Sequence, residues 1–312
     1  MKKPRTKTAL LILILLMTTK QIFGLILLSS ALAYYNYENN NAPNTTVVVL
    51  PNNKPEVIPD QTPKPKPEIK NSLFLTDVDK HRNIEENTVY GDVLSHSFDE
   101  PYGDRYGRRI NVHETSHGIT SELRNFYQKA LKKKLNVFYI LNGKCIVLEE
   151  SNINMRLVTK YIPEDLRSYR YNLYFVKGIV DWNDMPSYII DEWNSYILAS
   201  KSAVEDFNNG LIQEKVDAVS GCLDFSIYSV CFAMAVKNHD PEYWDSYPQF
   251  KNIIKYLLIE AEKTFGEGMK IENFRNSAQK TLFENLQKNK EAAEIRDFLT
   301  KEFDGIFLLK NQ

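Results

Sequence analysis

Five consecutive residues, His113-Glu114-Thr115-Ser116-His117, constrain this 312-residue chain more than any other stretch. On a helix, residues four apart stand one turn apart on the same face. Two imidazoles at that spacing can bind one metal ion, and zinc accepts histidine nitrogen readily. The acid beside the first histidine projects next to such an ion, where a carboxylate can take a proton from water. Only five histidines occur in the chain, and two of them are here. Chance alone would give an H-E-x-x-H match roughly 0.005 times in a chain of this composition. No proline interrupts 112–131, and Thr115, Ser116 and Gly118 are small and uncharged. At about 100° per residue, Val112, Ile119, Leu123, Phe126 and Ala130 form one apolar stripe, with both histidines roughly 130° from its centre. Histidines that share a face away from the apolar stripe suit a metal better than a core.

A catalytic zinc takes three protein ligands and keeps one open position. The metzincin pattern is excluded, because Thr120 and Leu123 stand where it needs a glycine and a ligand. The alternative is an acid on a later helix, and Glu192 is the best candidate. Pro186 can open that helix, with Ile189, Ile190, Trp193 and Ile197 as its buried face. On the wheel Glu192 lies at the edge of that face, among Tyr188, Ile189 and Tyr196, whereas Asp191 points to solvent. A carboxylate among large apolar groups is costly unless something pairs with it, and zinc is such a partner.

The run Gly107–Ile119, taken with Asp191-Glu192-Trp193, resembles the gluzincin-type zinc metallopeptidases. It is similar in flavour to the anthrax lethal factor-like catalytic domains and to predicted secreted bacterial H-E-x-x-H proteins. That resemblance implies Zn2+ held by His113, His117 and Glu192, Glu114 as general base, and a peptide or protein substrate. Lethal factor-like domains also place a tyrosine near the glutamate ligand to steady the oxyanion. Tyr188 and Tyr196 both stand within one turn of Glu192, and the role stays open between them.

The N-terminus is expected to be a targeting segment over 1–33. Lys2, Lys3, Arg5 and Lys7 precede two apolar runs, split by Lys20 and Gln21, and Ala31-Leu32-Ala33 fits a cleavage site. A membrane anchor over 9–33 would bury Lys20 at a cost of about 2.5–3.5 kcal/mol, which the surrounding apolar residues offset. A cleaved signal peptide starting at Met17 is the tidier layout. Either reading puts the rest outside the cytoplasm, secreted, periplasmic or membrane-anchored. Residues 34–72 read as an extended linker, with seven of the thirteen prolines, Thr62-Pro63-Lys64-Pro65-Lys66-Pro67 among them, and one candidate strand at 46–50. A formal net charge of −1 gives no basic field for nucleic acid. Cys145, Cys222 and Cys231 are odd in number and unpaired in pattern, and the last two read as buried packing residues.

Residues 73–312 are expected to form an α+β, helix-rich, zincin-like domain with a small sheet beside the metal helix. Leu135–Leu148 reads as a hairpin about Asn142-Gly143. Its main expected use is scaffolding, and pairing with an extended substrate is the functional alternative. Tyr171–Val176 and Ile179–Val180 suggest another strand or two. Helices are expected over 217–236, 250–265, 272–287 and 292–303. Asp224 reads as a capping or ion-pairing acid rather than an orienter of a ligand imidazole. His81, His96 and His239 read as surface or structural, His239 keeping an outside role as an oxyanion donor from a mobile loop. Besides the zinc metallopeptidase, two rivals fit the same signals: a zinc-binding protein without catalysis, and a metal-free envelope interaction protein.

Overall fold

Short apolar runs buried on both faces make the hairpin strands, and proline-free stretches rich in apolar residues make the long helices. The computed structural model describes residues 75–99 and 107–308. The targeting segment, the linker and its candidate strand lie outside the described residues. All described residues belong to one compact unit, Asn52–Gln312.

Strand β1 (Leu75–Asp77) is followed by helix α1 (Val89–Ser95) and the long α2 (Gly107–Leu131). Strands β2 (Leu135–Tyr139) and β3 (Lys144–Glu149) form the expected hairpin. Asn142 and Gly143 both take positive φ, 55° and 64°, and the Lys144 N–H donates to the Leu141 carbonyl at 3.0 Å. That is the type I′ chemistry the Asn-Gly pair favours. The sheet is antiparallel in the order β1-β3-β2, with Val137 opposite Val147 and Leu75 opposite Ile146.

Beyond the sheet the chain is helical: α3 (Tyr188–Asn208), α4 (Ser220–His239), α5 (Pro241–Ser246), α6 (Pro248–Gly268), α7 (Ser277–Lys288) and α8 (Ala293–Phe303). Helix α4 is buried along Ser220–Val236 and is the hub of the larger core. A smaller core joins α1, α2 and the outer face of the hairpin. Trp193 is fully buried in the larger core, and Leu198 on the same helix belongs to the smaller one. Helix α3 thus ties the two cores together.

The free edge of β2 is closed by side chains. Gln128 donates to the Leu135 carbonyl at 2.7 Å, Asn194 to the Tyr139 carbonyl at 2.7 Å, and the Val137 N–H to the Asn136 side chain at 2.9 Å. Edge groups already satisfied in this way have no bond to offer an added strand. The hairpin is therefore scaffold, and pairing of an extended substrate along β2 is not supported.

Three sequence expectations are corrected. Tyr171–Val176 and Ile179–Val180 are not strands: Asn172–Lys177 is a π-helix and Ile179–Trp182 a short α-helix. The β-formers there bury Tyr174 and Phe175 against Trp182 and Tyr228, so tertiary packing overrides local preference. The 272–287 helix is broken, because Asn276 accepts from the Gln279 N–H and caps α7, leaving a single 3-10 turn at Glu272–Phe274. On α2, Phe126 and Ala130 are exposed while Arg124 and Tyr127 are buried. The three-residue connection 132–134 brings β2 back along the Leu123–Tyr127 side of the helix.

Glu150, just after β3, accepts from both the backbone N–H (3.3 Å) and the hydroxyl of Ser187 and so caps the start of α3. Burial pushes this carboxyl up to about 7, against the lowering pull of the Ser187 bonds, Lys134 and Arg124; Tyr188 and Tyr243 face it too. A folded-state value above the ordinary 4.5 means that the folded chain holds the extra proton between those pH values. Stability from this group is full below about pH 4.5 and is lost as pH rises through about 7. The Tm advantage of wild type over Glu150→Gln is expected to shrink from pH 5 to pH 8 in thermal melts. A constant difference across that range would contradict the assignment.

Candidate metal centre

Helix α2 places His113 and His117 one turn apart, and α3 crosses it where small residues allow close approach. At the crossing the Ser116 hydroxyl donates to Ser195 Oγ at 2.8 Å, with both residues fully buried. This seats Glu192 opposite the two imidazoles, and His113, His117 and Glu192 form a candidate metal-binding group. His113 Nε2 and His117 Nε2 are 3.2 Å apart. Glu192 Oε2 is 3.6 Å from the first and 3.5 Å from the second.

That triangle fits a zinc ion. Three donors, each about 2.0–2.1 Å from a common centre at tetrahedral angles, have edges of about 3.3–3.4 Å. Glu192 Oε2 is buried and makes no hydrogen bond among the described residues, so its lone pairs are free for a cation. Electrostatics point the same way. Burial opposes ionisation of Glu192, but the neighbouring imidazoles more than reverse this and hold its carboxyl well below the usual range. Burial likewise opposes protonation of His117, yet the carboxylates of Asp191 and Glu192 favour its charged form strongly. The pocket therefore attracts positive charge. One proton cannot bridge three donor atoms, whereas a divalent cation can.

Asp191 corrects the helical-wheel reading. It is 3% exposed, not solvent-facing, and its Oδ2 lies 3.1 Å from His117 Nδ1. An Nδ1–H donated to this carboxylate leaves the Nε2 lone pair directed at the triangle, as carboxylate–histidine–metal arrangements require. The wheel assumed one apolar face, but α3 is buried on nearly every side from Ile189 to Ser195. Asp191→Asn is expected to weaken zinc affinity about 10–100-fold with the fold intact, read by competition against a chromogenic chelator. Unchanged affinity would show that the contact does not orient the ligand.

Glu114 is 9% exposed, and its Oε2 has no hydrogen-bond partner among the described residues. Burial raises its carboxyl against the lowering pull of His113 and His117. Of the two candidate tyrosines, Tyr196 is at the site: its ring meets His113 edge-on at 4.5 Å, and its hydroxyl lies 3.2 Å from that of Tyr174. Tyr188 instead stacks under Arg124. Tyr174 was not foreseen, because it sat in a segment read as strand.

The remaining candidates stand apart. Asp224 pairs with Arg170 at 2.7 Å. His96 is buried against Tyr139, and His239 ends α4, exposed and bonded to Tyr161. All three cysteines are free and buried, and burial raises the Cys222 thiol to about 12. No helix of the described residues is long and apolar enough to cross a membrane.

No protein-family model, curated protein or solved structure matches this chain.

Proposed function

We propose that the chain is an exported zinc metallopeptidase that hydrolyses peptide bonds, with His113, His117 and Glu192 as ligands and Glu114 as general base. The observation that carries this reading is the 3.2–3.6 Å triangle of two imidazole nitrogens and one unbonded carboxylate oxygen. Zinc, when bound, supplies a Lewis acid that polarises a carbonyl and makes a nearby water acidic. Glu114 takes the proton as the water oxygen attacks the carbonyl carbon. It then delivers that proton to the amine as the C–N bond breaks. Asp191 keeps His117 in the tautomer that binds. The Tyr174–Tyr196 phenols supply O–H donors where negative charge develops on the carbonyl oxygen.

A purely structural zinc site gives no reason for Glu114. Glu114 is buried within electrostatic reach of both imidazoles, where a proton acceptor for an attacking water would stand. That observation favours the enzyme over a non-catalytic zinc protein. The basic n-region and apolar runs of 1–33 support an extracytoplasmic location, with or without a tether through 9–33.

The test is a diverse peptide library incubated with the zinc-loaded full chain. New amino termini should accumulate, stop with a chelator and resume on adding zinc back. A zinc-loaded wild type that cleaves no peptide would overturn the peptidase reading.

A further inference from the structure

The phenol beside His113, Tyr196, comes from α3, and the phenol its hydroxyl meets at 3.2 Å, Tyr174, comes from the π-helix. Something must hold them together, and the structure offers a buried cation behind them. Arg170 is 1% exposed, an unusual burial for a guanidinium. It is clamped by Asp224 Oδ2 at 2.7 Å, Ser220 Oγ at 2.9 Å and Asp217 Oδ2 at 3.2 Å. Ser168 ties the same clamp to the chain, donating from its hydroxyl to Asp224 at 2.9 Å. The guanidinium carbon stands 4.8 Å from the centroid of the Tyr196 ring, within cation–π range.

The seat of that ring is tight on its other sides. Phe225 stacks on it at 5.0 Å, and His113 meets it at 4.5 Å. A Cβ on Gly221 would come within 2.2 Å of Tyr196 Cδ1, so only glycine lets the ring lie there. Arg170 also lies in the middle of the turn Tyr169–Tyr171 that continues into the π-helix, four residues before Tyr174. One side chain thus anchors both phenols, Tyr196 by ring contact and Tyr174 through the chain. π-Helical turns are rare and cluster at functional sites.

We propose that Arg170 is a positioning residue of the metal centre: held by Asp217 and Asp224, it seats the Tyr196 ring against His113 and its hydroxyl against Tyr174. Arg170 does not touch the triangle; it acts through Tyr196. The kinetic part of this inference rests on the peptidase reading, and the spectroscopic part does not.

The test uses the zinc-loaded full chain with histidine side chains labelled with 15N. In Arg170→Lys, the His113 ring resonances should move, because the Tyr196 ring current beside them changes, while zinc stays at one per chain. Asp224→Asn, which weakens the 2.7 Å clamp on Arg170, should move the same resonances, and it serves if the lysine variant folds poorly. Kinetically, Arg170→Lys and Tyr196→Phe should each lower kcat about 10–100-fold with KM within about threefold. The double variant should be no worse than the slower single one. His113 resonances unmoved in a folded Arg170→Lys or, in its place, a folded Asp224→Asn, or losses that multiply in the double variant, would overturn the proposal. If wild type binds zinc but cleaves nothing, the resonance arm still decides it, and only the peptidase reading has failed.

Discussion

Glu114→Gln should keep one zinc per chain and lose about 10²–10⁴-fold in kcat. The amide has the shape of the acid, so the three ligand atoms stay where they are, but it has no basic oxygen to take a proton. Stability should not fall with activity. Glu114 Oε2 already lacks a hydrogen bond and is buried, so a neutral amide relieves a charge that burial disfavours. The variant is expected to melt at or above the wild-type Tm while turning over almost nothing. Zinc analysis, a melt and a progress curve on one preparation check all three. Wild-type turnover by a zinc-loaded Glu114→Gln chain would remove the general-base assignment.

Glu192→Ala acts on the other half of the site. It leaves two imidazole nitrogens 3.2 Å apart without the Glu192 oxygen that completes the triangle. A site cut from three protein donors to two should lose more than the roughly 10–100-fold that follows loss of a supporting partner such as Asp191. The fold should survive, because Glu192 makes no hydrogen bond through Oε2 and the packing of α3 rests on Ile189, Ile190, Trp193 and Ile197. Zinc should therefore be lost from a folded chain, seen as unchanged circular dichroism with near-zero metal content. Full zinc retention would mean that another side chain supplies the third donor.

The candidate triad of His113, His117 and Glu192 was legible because it depends on local periodicity. The four-residue spacing of His113 and His117 survives any packing of α2, and the apolar pattern around Glu192 marks a half-buried acid. The hairpin was legible for the same reason, its turn chemistry being carried by Asn142 and Gly143. What escaped depends on crossings between distant segments. A helical wheel with one apolar face sends Asp191 to solvent, whereas α2 packs on the side where Asp191 emerges. Tyr196 could not be preferred to Tyr188 from spacing, since Gly221 and Arg170, both remote in sequence, decide which ring reaches His113. The clamp left a faint signal: Asp217 and Asp224 stand seven residues apart around Ser220, at the start of an apolar helix that needs a cation. The β-formers of 171–176 are helical because Tyr174 and Phe175 pack on Trp182 and Tyr228, contacts with residues outside the segment that local preference does not carry.

X-ray absorption at the zinc edge of the full chain, with metal content measured on the same sample, tests the site most directly. One zinc per chain is predicted, surrounded only by nitrogen and oxygen at about 2.0–2.1 Å, with the outer-shell pattern of two imidazoles. A chain that binds no zinc, or zinc with sulfur at about 2.3 Å from a cysteine, would contradict the site built from His113, His117 and Glu192.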